Sequence, residues 1–192
     1  MNKMRKRCAW PGSDAHMIAY HDTEWGVPQR DDKILFEYIV LDTFQAGLSW
    51  QIALNKRAGF KKAFKNFDPK KIAKMTSVDV ERLLQDSHII RNRLKIAGTI
   101  KNAKAFLAIQ KEFGSFAKYL WAFVKNKTIQ NKHTRSSTIG ASSKLSDAIS
   151  KDLKKRGFTF VGTTIIYAFM QGAGLVNDHL ISCFRYKEVQ ML

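Results

Sequence analysis

Apolar residues recur at helical spacing along almost the whole chain, and no two alternating runs are joined by hairpin-turn residues. That pattern predicts an all-α fold. Asp31 and Asp32 open an apolar run over 34–41 dense enough for a helix buried on most sides. Further helices are expected over 49–55, 57–67 and 77–86. A long one follows, with Ile96, Ala97, Ile100, Ala103 and Leu107 facing inward. A short aromatic helix over 116–124 precedes a polar stretch, 125–143, that reads as the one long loop. Leu145, Ala148, Ile149 and Leu153 then resume the helical spacing.

Composition narrows the function classes. The 192 residues hold 33 Lys plus Arg against 16 Asp plus Glu, a net charge of +17. Such an excess repels itself, and a polyanion that releases counterions makes use of it, so nucleic acid leads as partner. Two cysteines exclude a disulfide framework. The basic start lacks the apolar stretch of a signal peptide. The uncharged stretch 157–176 is interrupted by Gly162, Gly172 and Gly174, which suits a turn and a buried helix, not a membrane span. The expected location is the cytoplasm, with no membrane partner.

Three constellations carry chemistry. Over 145–172, a helix ends in Lys154-Lys155-Arg156-Gly157, and a second begins after Gly162 with Thr163 and Thr164. Gly157 fits the left-handed position after a helix, and the free amides at Gly162, Thr163 and Thr164 suit a phosphate. Lys155 and Arg156 add attraction without sequence reading, as in a helix-hairpin-helix. An ordinary corner between two helices fits the same residues.

His179 and Cys183, at i and i+4, would share one helical face, as a two-ligand metal arm requires. Cys8 and His21 supply a matching pair near the other terminus. Four such ligands would close a tetrahedral zinc and staple segment 8–21 to 179–183. Each residue alone also suits an ordinary buried cysteine or histidine.

Trp25 and Trp50 stand at element ends beside Gly26 and Gly47, with Tyr20 and Asp42 nearby in sequence. Flat rings and an acid suit an extruded, positively charged purine. The competing reading makes the tryptophans core anchors and Asp42 a helix cap.

These segments closely resemble the bacterial DNA-3-methyladenine glycosylase I family of the helix-hairpin-helix superfamily. The matching pieces are Cys8-Ala9-Trp10, Tyr20-His21-Asp22-Thr23-Glu24-Trp25-Gly26-Val27-Pro28, Gln45-Ala46-Gly47-Leu48-Ser49-Trp50 and Ile89-Ile90-Arg91-Asn92-Arg93-Leu94-Lys95-Ile96. To these are added Ser146-Asp147-Ala148, the run from Lys154 through Gly157 and Gly162 to Thr164, and Asn177-Asp178-His179. The resemblance implies one glycosylase domain over 1–192 and a structural zinc on Cys8, His21, His179 and Cys183. It implies a base pocket in which Trp25 and Trp50 sandwich the ring while Asp42 and Tyr20 serve the catalytic edge.

The implied activity is hydrolytic excision of 3-methyladenine from alkylated double-stranded DNA, without a lyase step, by a monomer in the bacterial cytosol beside the nucleoid. 3-Methylguanine stands as a second candidate base. The alternative is a non-catalytic DNA-binding helix-hairpin-helix protein that keeps the zinc. The family commonly has glutamate where this chain has Asp42, so the reach is shorter by one carbon–carbon bond, roughly 1.5 Å. His88 and Leu94 stand where relatives usually carry glycine or a small residue.

Overall fold

The computed structural model describes residues 5–192, and among them the fold is helical apart from one two-residue strand pair. Eleven α-helices follow in order: α1 Ala15–Thr23, α2 Asp32–Gln45, α3 Trp50–Asn55, α4 Arg57–Ala63, α5 Pro69–Ile72, α6 Ser77–Leu84, α7 Arg93–Phe113, α8 Phe116–Ala122, α9 Lys144–Lys155, α10 Thr163–Gly172 and α11 Phe184–Gln190. Inside the long polar loop, β1 (Ile129–Gln130) pairs in parallel with β2 (Val176–Asn177) and anchors the loop to the C-terminal segment.

Local chemistry accounts for the boundaries. The Asp31 carboxylate accepts from the amides of Lys33 and Ile34 to start α2, and Asp14 accepts from Met17 to start α1. The helix expected over 57–67 is instead broken after Ala63, because Lys65, Asn66 and Phe67 take left-handed backbone angles. Phe60, Phe64 and Phe67 are all fully buried on the two sides of that break. The bend is what lets all three rings reach the core.

α2 is the central element. It packs against α3, α7, α8 and α10, and every residue over 38–44 is buried. Phe36, Phe44, Phe60, Phe106, Phe116 and Trp121 fill the space around it. Each buried aromatic of this kind contributes about 1.5–3 kcal/mol. Lys95, at the start of α7, donates to the carbonyls of Phe44 (2.9 Å) and Ala46 (2.6 Å) and so caps the end of α2. No helix among the described residues is long and apolar enough to cross a membrane.

α9 and α10 form a hairpin. The Phe158 amide donates to Leu153 and the Gly157 amide to Lys154, both at 3.0 Å, with Gly157 at φ +95°. This is the Schellman closure that glycine permits at low cost. Asn102 of α7 grips the turn from both sides, donating to the Thr159 carbonyl (3.0 Å) and accepting from its amide (2.8 Å).

Candidate functional site

The two chain ends meet around four buried side chains. Ligand atoms of Cys8, His21, His179 and Cys183 all lie within 4.8 Å of one another. Cys183 Sγ is 3.6 Å from both His21 Nε2 and His179 Nδ1, and Cys8 Sγ is 3.8 Å from His179 Nδ1. A tetrahedral ion with ordinary Zn–S and Zn–N bonds would set sulfur and nitrogen about 3.5 Å apart. The donor set therefore fits a metal ion.

The outer hydrogen bonds fix each ring. His21 Nδ1 meets Asp22 at 2.7 Å, leaving Nε2 to the cluster, and His179 Nε2 meets the Trp25 carbonyl at 2.9 Å, leaving Nδ1. Burial alone would raise Asp22, but hydrogen bonds from Arg7 and His21 hold it below the usual carboxylate range. The Cys183 thiol is pushed strongly down, chiefly by hydrogen bonding from Cys8 and then from His179 and His21, against the cost of burial. A thiolate is the form that binds metal. Gly26, at φ +81°, admits the His179 ring, whose atoms would lie 3.1 Å from any Cβ there.

One expectation needs correction. His179 and Cys183 do not share a helical face: the segment between them is a turn, and Cys183 is the N-cap of α11. Gly174, a glycine in the left-handed region, and the β2 pairing end the helical run before it reaches His179. The turn still brings the two ligand atoms together.

Beside the cluster opens a cavity of about 370 Å³, lined by Trp10, Tyr20, Trp25, Asp42, Gln45, Trp50, Ser136, Ile139, Ala168 and Gln171. It falls in the size range of small-molecule sites. Tyr20 and Trp25 come from α1 and the turn after it, Asp42 from the last turn of α2, and Trp50 from the first residue of α3. Ring centroids lie 5.1 Å apart for Trp10–Trp25 and for Tyr20–Trp50. The tryptophans thus line the cavity while also packing against one another and Tyr20.

Arg57 braces this arrangement from behind. It donates to Glu24 at 2.8 Å and Glu37 at 2.5 Å, and Tyr38 donates to Glu24 at 3.2 Å. The end of α1, the middle of α2 and the start of α4 are thereby tied together.

The cavity is electrostatically unfinished. Burial pushes the Asp42 carboxyl well above the usual carboxylate range, and its side chain has no hydrogen-bond partner among the described residues. The buried indole N–H groups of Trp10 and Trp50 have no partner either. Burial, then the neighbouring Tyr38, Asp42 and Glu24, raises Tyr20 far above an ordinary phenol, so its hydroxyl stays protonated. Unpaired buried polar atoms cost free energy, and they gather where a ligand completes them.

Trp10, Gln45, Gln171 and the loop residues Ser136 and Ile139 were not picked out as pocket residues by sequence reasoning. Trp10 and Gln45 stood inside quoted motifs, whereas the loop residues carried no signal. Asn177 and Asp178 lie outside the cavity lining. Both are fully buried and hydrogen-bonded, Asn177 to Gln130 and to the Tyr186 carbonyl, Asp178 to Asn131, Tyr167 and Gln171.

At the hairpin, Gly162 caps α10 with open space around it, and the Thr163 hydroxyl pairs with Ser146 Oγ at 2.7 Å. Lys154, Lys155 and Thr164 are exposed. Arg156 is instead engaged by Asp152 and Glu112, both at 2.7 Å, and lies over Phe113 and Tyr119. Leu94 is 71% exposed at the start of α7, and His88 is exposed and paired with Asp86.

The helical scaffold carries a hairpin between α9 and α10 and an aromatic, acid-bearing cavity. The methyladenine glycosylase family model matches residues 10–186, and the chain belongs to that family. It is 51% identical to DNA-3-methyladenine glycosylase 1 of Escherichia coli (strain K12) over 181 residues, covering 94% of this chain and 97% of the relative. It is 48% identical to DNA-3-methyladenine glycosylase of Haemophilus influenzae over 180 residues, covering 94% and 97%. A crystal structure of 3-methyladenine DNA glycosylase I superposes with a TM-score of 0.91 at 51% identity, covering 93% of this chain and 98% of the other. The 3-methyladenine DNA glycosylase I of Staphylococcus aureus, in a structure addressing 3-methyladenine recognition, gives 0.90 at 35% identity, covering 93% and 95%.

Proposed function

We propose that this chain, acting as one domain, is a monofunctional DNA glycosylase that excises 3-methyladenine from alkylated duplex DNA in the bacterial cytosol. The observation that carries this reading is a cavity walled by Trp10, Tyr20, Trp25 and Trp50 around a buried carboxyl that nothing else pairs. Methylation at N3 makes the base a cation, which stacks on indoles and gives Asp42 the opposite charge it lacks. Pairing with the cation returns Asp42 to the carboxylate form. A neutral adenine offers no such gain, so the pocket discriminates by charge.

The base departs as a neutral molecule and its glycosidic bond is already weak, so no strong nucleophile is required. Asp42 holds the base edge, the neutral Tyr20 hydroxyl donates a hydrogen bond, and Trp25 and Trp50 hold the ring faces. Water completes the hydrolysis at the sugar. Asn177 and Asp178, committed to their own partners, take no part in that step. The amides at Gly162, Thr163 and Thr164 grip the DNA backbone, and Lys155 adds attraction. Arg156, paired to Asp152 and Glu112, supports the hairpin instead.

Cys8, His21, His179 and Cys183 would hold a zinc ion, which with four protein ligands would supply folding stability and leave no position for water. Release of free 3-methyladenine from methylated duplex, measured with enzyme in excess, tests the proposal. Release well above the buffer control is expected. Tight duplex binding with no release would instead identify a binding protein that has lost the chemistry.

A further inference from the structure

Asp178 is a buried carboxylate on which two otherwise separate parts of the cavity wall converge. Gln171 Nε2 and the Tyr167 hydroxyl, both from α10, donate to Oδ2 at 2.8 Å. From the long loop, Asn131 Nδ2 donates to Oδ1 at 2.6 Å, while His133 Nε2 stands 3.3 Å from the same oxygen without a hydrogen bond. His133 is itself tied to the loop, its Nδ1 3.1 Å from Thr138 Oγ1 and its carbonyl accepting from the Ile181 amide.

Both partners lead to the base cavity. A carboxylate only accepts, so Gln171 must turn its NH₂ toward Asp178 and its carbonyl oxygen the other way. Gln171 lines the cavity, as do Ser136 and Ile139 from the loop segment that Asn131 and His133 anchor. We propose that Asp178 is a positioning residue for the base pocket, holding Gln171 with its amide oxygen toward the base and the 131–139 loop as the wall beside it. Gln171 then presents an acceptor to an N–H-bearing base edge and is a specificity-determining residue. This inference rests on the base-excision reading of the same cavity.

The test uses the full-length, metal-loaded protein and reads 3-methyladenine affinity by tryptophan fluorescence, duplex affinity, metal content and trypsin cleavage at Lys132 or Arg135. Asn131→Asp sets a second carboxylate against Asp178. It should weaken free-base binding at least fivefold and speed cleavage in the loop, with metal content and undamaged-duplex affinity unchanged. Asp178→Asn keeps one acceptor oxygen for donors on two sides, so it must release either Gln171 and Tyr167 or Asn131, and base binding should fall at least tenfold. Gln171→Met, which keeps size and removes only one of the donors to Asp178, should weaken base binding about fivefold without opening the loop. Base affinity at the wild-type value in Asn131→Asp and Gln171→Met overturns the inference, even if loop cleavage accelerates. A wild-type protein that neither binds the base nor releases it from DNA sinks the glycosylase reading itself, and this inference with it.

Discussion

The Cys/His cluster and the aromatic cavity share one wall through the 8–25 segment, yet their polar atoms are treated in opposite ways. Trp25 joins them: its backbone carbonyl accepts from the His179 ring, and its indole lines the cavity. In the cluster, each imidazole has its outer nitrogen paired and its inner one turned to the sulfurs. In the cavity, the Asp42 carboxyl and two indole N–H groups are left without partners. A closed, satisfied set of ligands holds structure, whereas an open, unsatisfied set waits for something to bind. On the proposed function, the contrast separates stability from recognition within a few ångströms of shared wall.

Breaking the cluster should have the largest effect. Structural zinc contributes on the order of 10 kcal/mol of apparent binding free energy in small domains, so chelation or Cys183→Ser should lower Tm by well over 10 °C. Calorimetry with metal analysis checks this. Turnover lost at an unchanged Tm would erase the division of labour drawn above.

Asp42→Asn should cut excision about 100-fold, equal to roughly 2.7 kcal/mol of transition-state stabilisation. It should also raise stability at neutral pH. The native pKa of Asp42 lies above its unfolded value, so the native state binds the extra proton and stability falls as pH rises through that interval. The asparagine variant lacks that slope. A denaturation series across pH in which the two proteins keep the same difference would contradict an unpaired carboxyl in the cavity.

Trp50→Ala removes one stacking face and should reduce excision by about tenfold, within the roughly 1–3 kcal/mol range of base–aromatic contacts. Affinity for undamaged duplex should not change. Equal losses in both assays would return Trp50 to the core-anchor reading. The smallest effect belongs to the hairpin: Lys155→Ala should lower the slope of log affinity against log salt by about one, and Arg156→Ala should hardly move it. Arg156→Ala should cost stability instead, because Glu112 and Asp152 lose their shared partner.

Much of this organisation was legible in the chain. The density of apolar residues around Phe36 and Leu41 announces a helix buried on most sides, and α2 is buried at every position over 38–44. Gly157 was readable as a helix terminator because few other residues take its backbone angle at low cost. The break at Lys65–Phe67 was not readable: phenylalanines at helical spacing suit a continuous helix, and only the competition of three rings for one core bends it. Asp42, Trp25 and Trp50 could be singled out by residue type and position, but residue type alone did not tell a cavity wall from a packed anchor.

Sequence by itself determined the helical class, the cationic excess, the glycine-marked hairpin and the four side chains able to share an ion, because periodicity, charge and ligand chemistry are local properties. Tertiary structure alone decided that Cys183 caps a helix, that Arg156 is spent on Glu112 and Asp152, and that loop residues such as Ser136 complete the pocket. The Arg156–Glu112 pair and the loop's place beside the pocket depend on which groups become neighbours across more than forty residues of chain, where burial and hydrogen-bond competition choose among partners that a linear pattern does not rank.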